Sequence, residues 1–291
     1  MKKLILPVLL ALIFAQSTRS VYAQSTSPQA VAQHVDTVVM PSGPYAYETK
    51  PDDEAFAAFN PRKAPATGPL LLKKGDRLAI CGDSITEQKM YSRMIETYLT
   101  VCVPELEITA RQYGWSGEKT DNFLRRMDQD CLTFSPTIAT LAYGMNDSRY
   151  RPFDATNGRW YQDHYSAIVR RFKANDVRVV VGSPGCAGKI ASWVKSKAGD
   201  LEDHNVHLCA LRDIAMMVAE DNGVRFADIF WPMYQAQVFA PAQHHATQGL
   251  PYNVAGNDGV HPGWAGHTIM AYAFLKALGL DGEIAKIDID L

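Results

Sequence analysis

The stretch LAICGDSITEQKMYSRMIETYL, residues 78–99, runs from an apolar segment through a Gly-Asp-Ser turn into residues with helical spacing. It reads as strand, tight turn and helix, with Ser84 at the junction. By itself Ser84 is well suited to be a helix N-cap, and SITE even fits a capping box. A second role, that of a nucleophile raised by the turn, requires a base, a group to orient that base, and donors for an oxyanion.

The same rhythm continues along the chain. Strand candidates lie at 77–81 (RLAIC), 106–111 (LEITAR), 137–143 (TIATLAY), 177–183 (VRVVVGS) and 224–229 (VRFADI). Helix candidates lie near 88–100, 118–130, 160–175, 204–222 and 264–278. Alternation of this kind predicts an α/β three-layer sandwich, a central parallel sheet flanked by helices. The nearly continuous β-branched run VRVVVGS suits a strand buried on both faces. In such a sheet ligands bind beyond the carboxyl ends of the strands. That rule selects four turns: Gly82–Ser84, Gly114–Gly117, Gly144–Asp147 and Ser183–Gly185.

The remaining requirements are met by residues far from Ser84. NDGVHPGWAGH (257–267) sets Asp258 three residues before His261. An imidazole accepts a serine proton near neutral pH, and a carboxylate on its other nitrogen fixes the tautomer. A lone DxxH is also an ordinary turn with a loop histidine. Gly117, in YGWSGEKT, offers an unobstructed backbone N–H, and Asn146, in YGMND, offers a side-chain amide. With the Ser84 N–H they make three donors for an oxyanion, although a turn glycine and an Asx-turn asparagine are the plainer readings of each one.

Taken together in this order, GDSIT, SGEKT, GMND and DGVH resemble the four blocks of the SGNH hydrolase superfamily, the GDSL-type esterases. The resemblance implies a flavodoxin-like arrangement of the sheet over about residues 75–280. It assigns Ser84 as nucleophile, His261 as base, Asp258 as its partner, and Ser84, Gly117 and Asn146 as oxyanion donors. It implies hydrolysis of an ester through an acyl-enzyme; the chain is expected to need no cofactor and no metal. Ile85 stands where the family name has leucine, and both are apolar.

Composition agrees with a globular enzyme. The 291 residues are 47% hydrophobic and 21% charged, with a formal net charge of −2. No basic run marks a nucleic-acid or lipid-headgroup surface. Residues 1–23 read as an export signal: Lys2 and Lys3, the apolar run LILPVLLALIFA (4–15), and VYA before the cut. That run is too short to span a bilayer, so the expectation is a secreted or periplasmic protein with no membrane anchor after cleavage. Residues 24–68, rich in Ser, Gln, Pro and Ala, read as a flexible or surface-hugging extension before a catalytic domain at 69–291. Five cysteines (Cys81, Cys102, Cys131, Cys186, Cys209) leave at least one thiol free, and a Cys102–Cys131 bridge is one pairing open to them.

The substrate is read from the segment after Asn146. DSRYRPFDATNGRWYQDHY (147–165) supplies Arg149, Tyr150, Arg151 and Trp160, and Trp115 precedes Gly117. Aromatic faces beside hydrogen-bonding groups suit sugars, while packing against the sheet is the plainer use of each. The leading expectation is removal of small acyl groups, acetyl above all, from a carbohydrate. A lipase-like or lysophospholipase-like hydrolase of broad acyl range is the alternative, and a non-catalytic glycan-binding relative is a third. QHHATQGLPYN (243–253) reads as a loop whose paired histidines, His244 and His245, lack a third ligand for a metal.

Overall fold

The computed structural model describes residues 45–195, 198–248 and 252–280, so the proposed leader lies outside it. Five strands form one parallel sheet: β1 Arg77–Gly82, β2 Thr109–Gly114, β3 Ile138–Ala142, β4 Arg178–Gly182 and β5 Arg225–Ala227, in the order β2-β1-β3-β4-β5. The helices are α1 Ser84–Glu87, α2 Met90–Cys102, α3 Thr120–Arg126, α4 Ala155–Lys173, α5 Leu201–Asn222, α6 Phe230–Gln248 and α7 Trp264–Ala277.

Period-two alternation along each strand sorts its side chains between two layers. Leu78 and Ile80 of β1 and Val180 of β4 face a core built with Tyr91, Ile95 and Leu99 of α2, Phe230 and Met233 of α6, and Phe274 of α7. Ala79 and Cys81 of β1, with Val179 and Val181 of β4, face the other core. That layer holds Phe123 of α3, Tyr165 and Phe172 of α4, and Leu211 and Ile214 of α5. Both faces of β1, β3 and β4 are therefore covered, as a parallel sheet requires. The strand order reverses at β1, so the crevice for a ligand lies beyond the carboxyl ends of β1 and β3.

Three expectations are corrected or narrowed. Helix α6 covers Phe230–Gln248, with Pro232 and Pro241 inside it, where no helix is expected and 243–253 reads as a loop. A proline in the first turn costs no intrahelical bond, and the rest of the helix is held by its aromatic contacts. His244 and His245 accordingly lie on this helix rather than in a loop. Second, of the two arrangements open to the extension, its described part packs on the surface through Phe56 and Phe59. Phe56 stacks on Phe239 (5.4 Å) and sets its edge to Trp231 (5.5 Å), while Phe59 packs 4.5 Å from Tyr234. The Tyr234 hydroxyl donates to Ala55 O at 2.9 Å, and Arg62 pairs with Glu220 at 3.0 Å. Third, Cys131 faces Cys81, Sγ to Sγ 3.7 Å, rather than Cys102, and all five thiols are free.

Candidate active site

The first site element is the β1–α1 turn. Asp83, not Ser84, caps α1: its Oδ1 accepts from the Ile85 amide at 3.0 Å. The serine is thereby displaced to the first helical position, where its N–H has no intrahelical acceptor and its hydroxyl is not used as a cap. Gly114 makes room for α1 over the end of β2, since a Cβ there would lie 2.2 Å from Glu87 N.

The second element is the loop before α7. Ser84 Oγ lies 2.8 Å from His261 Nε2, and His261 Nδ1 lies 2.7 Å from Asp258 Oδ2. Asp258 Oδ1 also accepts the amides of Val260 (2.9 Å) and His261 (2.8 Å), closing the loop on itself. Burial raises the Asp258 pKa, but these amides and the imidazole outweigh it and hold the carboxyl below the usual aspartate range. The loop needs Gly256, where φ is +83° and a Cβ would lie 1.7 Å from His261 O.

The third element gathers donors. Trp115–Glu118 forms a turn closed by Glu118 N to Trp115 O (3.1 Å), with Gly117 at its third position and exposed. Glu118 is buried and fixed by Arg126 (2.6 and 2.7 Å) and by the Tyr143 hydroxyl (2.8 Å). Its carbonyl accepts from Asn146 Nδ2 at 3.1 Å, and the same nitrogen reaches Asp83 Oδ2 at 3.2 Å. Asn146 Oδ1 accepts from the Tyr150 hydroxyl at 2.9 Å. Asp147, buried behind them, accepts from the Thr120 amide (2.9 Å), the Thr120 hydroxyl (2.7 Å) and Gly144 N (3.0 Å).

Of the five residues expected to touch substrate, Tyr150 stands at the cluster and Trp115 is exposed beside Gly117. Trp160 instead stacks under Arg149 (5.3 Å) and Lys119 (5.4 Å), on the flank formed by α4. Arg151 is turned away, paired with Asp154 at 2.5 Å. The fourth turn, at Ser183, does not join the site: its hydroxyl accepts the Ile229 and Phe230 amides, both at 2.9 Å, and anchors the start of α6. In its place Trp193, from the same β4–α5 loop, sets its ring 5.8 Å from the His261 ring and edge-on to Tyr150. The sequence signal for it was a lone tryptophan past a strand end. Among the described residues no group of three His, Cys, Asp or Glu is placed to hold a metal ion.

Asp83 carries the unusual charge of the site. Burial pushes its pKa up to about 7, the Ile85 amide opposes this, and the Asp147 and Glu118 carboxylates add to it. A folded value above the unfolded one, near 3.9, means that the native state keeps this proton longer. Its contribution to stability therefore falls as pH rises from about 4 to about 7, then stays level. We expect the Tm advantage of Asp83→Asn over the parent to grow across that interval. A difference that does not change with pH would put the Asp83 carboxyl back in its ordinary range.

The model of the GDSL-like Lipase/Acylhydrolase family matches residues 80–269, well over half of the chain and all four blocks. No curated protein matches the chain. Among solved structures, Axe2, an acetylxylan esterase from Geobacillus stearothermophilus, superposes with a TM-score of 0.58 at 20% identity, covering 73% of this chain and 98% of its own. BT4096, a gut microbial diltiazem-metabolizing enzyme, gives 0.59 at 26%, covering 74% of this chain and 49% of its own. LAE5, an alpha/beta hydrolase enzyme from the metagenome of Lake Arreo, Spain, gives 0.56 at 20%, covering 72% and 98%. This chain belongs to the GDSL-like lipase/acylhydrolase family and is a hydrolase of ester bonds.

Proposed function

We propose that the protein is an exported serine esterase that removes small acyl groups, acetyl in the first place, from a carbohydrate. The observation that carries the mechanism is the continuous hydrogen-bonded run from Ser84 Oγ through His261 to Asp258, 2.8 and 2.7 Å. With the Nδ1 proton held by Asp258, His261 Nε2 is the acceptor for the Ser84 proton as Oγ attacks the ester carbonyl. The C=O electron pair moves onto oxygen, which faces the N–H groups of Ser84 and Gly117 and the Asn146 amide. Of the two Asn146 bonds, the longer one, to Asp83 Oδ2, is released to the oxyanion. Collapse breaks the bond to the leaving alkoxide, and His261 returns the proton to it. Water then attacks the acyl-serine with His261 as base, releasing the acid and restoring Ser84.

The carbohydrate part of the reading is supported by the rim. Trp115, two residues before Gly117, is 61% exposed and Trp193, beside His261, 45% exposed, and flat apolar faces beside polar groups suit a sugar ring. Axe2 shares only the fold at this identity, yet its stated substrate makes acetylated xylan the natural first polymer to test. Export rests on residues 1–23.

One observation favours the second reading, a hydrolase of longer acyl esters. A groove of about 620 Å³ runs between α2 and α7, lined by Met90, Met94, Tyr98, Val101 and Trp264. Gln88 and Trp264, which also line it, stand close to Ser84 and His261 in the sequence. Hydrolysis of 4-nitrophenyl acetate, butyrate and octanoate, with acetate release from acetylated xylan, separates the two. We expect kcat/KM to fall at least tenfold from acetate to octanoate. A preference for octanoate would overturn the acetyl assignment and bring the groove into the site.

A further inference from the structure

We infer that Tyr150 is a positioning residue for the Asn146 amide, acting through its hydroxyl and not by touching substrate. This rests on the reading of Asn146 as an oxyanion donor.

The geometry starts at the backbone. Arg149 and Tyr150 both lie in the left-handed region, with φ of 55° and 53°. Neither is glycine, and two such residues in succession persist only where the surroundings fix them. Those surroundings are visible. Ser148 is fully buried; its hydroxyl donates to Met145 O at 2.6 Å and accepts the Tyr150 amide at 3.2 Å. His204 Nε2 lies 2.9 Å from the same oxygen. Because the serine proton is committed to Met145 O, the imidazole is the donor in that contact. A buried hub thus holds the Tyr150 backbone in an otherwise disfavoured turn.

What the turn achieves is the aim of one hydroxyl. The Tyr150 O–H donates to Asn146 Oδ1 at 2.9 Å, while Asn146 Nδ2 faces Glu118 O and Asp83 Oδ2. An asparagine amide is free to turn about χ2 unless both ends are engaged. Here the tyrosine holds the oxygen end, so the nitrogen end points at the site. The same ring sets its edge to Trp193 at 6.3 Å and lies 5.3 Å from His204. Tyr150, half-buried, is therefore flanked by the amide, a buried histidine and the tryptophan beside His261.

The test is a double-mutant cycle on 4-nitrophenyl acetate, with kcat and KM resolved separately and Tm recorded. Tyr150→Phe keeps the ring and removes only the hydroxyl. We expect kcat to fall roughly three- to tenfold with KM unchanged, the share of one neutral hydrogen bond. Asn146→Ala should lower kcat by about 10² or more, and adding Tyr150→Phe to it should cost nothing further. A Tyr150→Phe effect that appears in KM, or persists at full size in the Asn146→Ala background, makes Tyr150 a substrate contact and overturns the inference. So does an unchanged kcat in Tyr150→Phe while Asn146→Ala is impaired. An Asn146→Ala enzyme with parental kcat removes the donor reading itself, and the inference with it.

Discussion

Ser84→Ala is expected to lower kcat for 4-nitrophenyl acetate by about 10⁴-fold or more, with little change in KM or Tm. The size follows from the loss of the only hydroxyl hydrogen-bonded to His261 Nε2 among the described residues. Without it the acyl-enzyme route is closed, and what remains is water attack assisted by the oxyanion donors and binding alone. The small effect on stability follows from the local structure. Asp83, not Ser84, caps α1, and among the described residues the serine hydroxyl bonds to the imidazole alone. A variant within tenfold of the parent would show that another group attacks the ester and would end the proposed mechanism.

His261→Ala is expected to be nearly as damaging, about 10³- to 10⁴-fold in kcat, because among the described residues no second imidazole is placed to replace it. His267 is the nearest alternative in sequence, but it is fully buried, stacked on Tyr91 at 6.1 Å, and bonded through Nε2 to Gln88. Burial, helped by the neighbouring His261 charge, lowers its pKa to about 4, so it stays neutral at working pH. His204 is committed to Ser148 and is likewise lowered to about 4 by burial, with His207 adding to the effect. Steady-state kinetics at pH 7.5 (with circular dichroism to establish folding) is the measurement. Near-parental turnover from a folded His261→Ala enzyme would remove the histidine from the base role.

The sheet was legible because its strands are apolar runs that end in glycine-bearing turns, and those turns cannot be far apart once the strands are parallel. That is why Ser84, Gly117 and Asn146, each in such a turn, read from the sequence as neighbours. The order of strands, and with it the crevice at β1, is a property of crossovers that no single segment encodes. Local rules misled where one residue type serves two ends. The Ser of GDS looked like the cap, yet the preceding aspartate has the longer reach and took the amide. Residues 243–253 looked like a loop, yet α6 runs on to Gln248 through Pro241. Trp193 and Tyr150 depend on the path of long loops, and aromatic residues announce burial more readily than purpose. Arg151, which looked free to meet a substrate, found an acidic neighbour three residues on.

The amino-terminal stretch and the helix that the sequence did not announce are halves of one contact. Phe56 and Phe59 meet the aromatic side of α6, and the Tyr234 to Ala55 bond joins residues 179 positions apart. A contact of that span raises the contact order of the fold, and closing so long a loop slows folding. Wherever the arm is undocked the aromatic side of α6 is bare, and that is when this chain is most exposed to self-association.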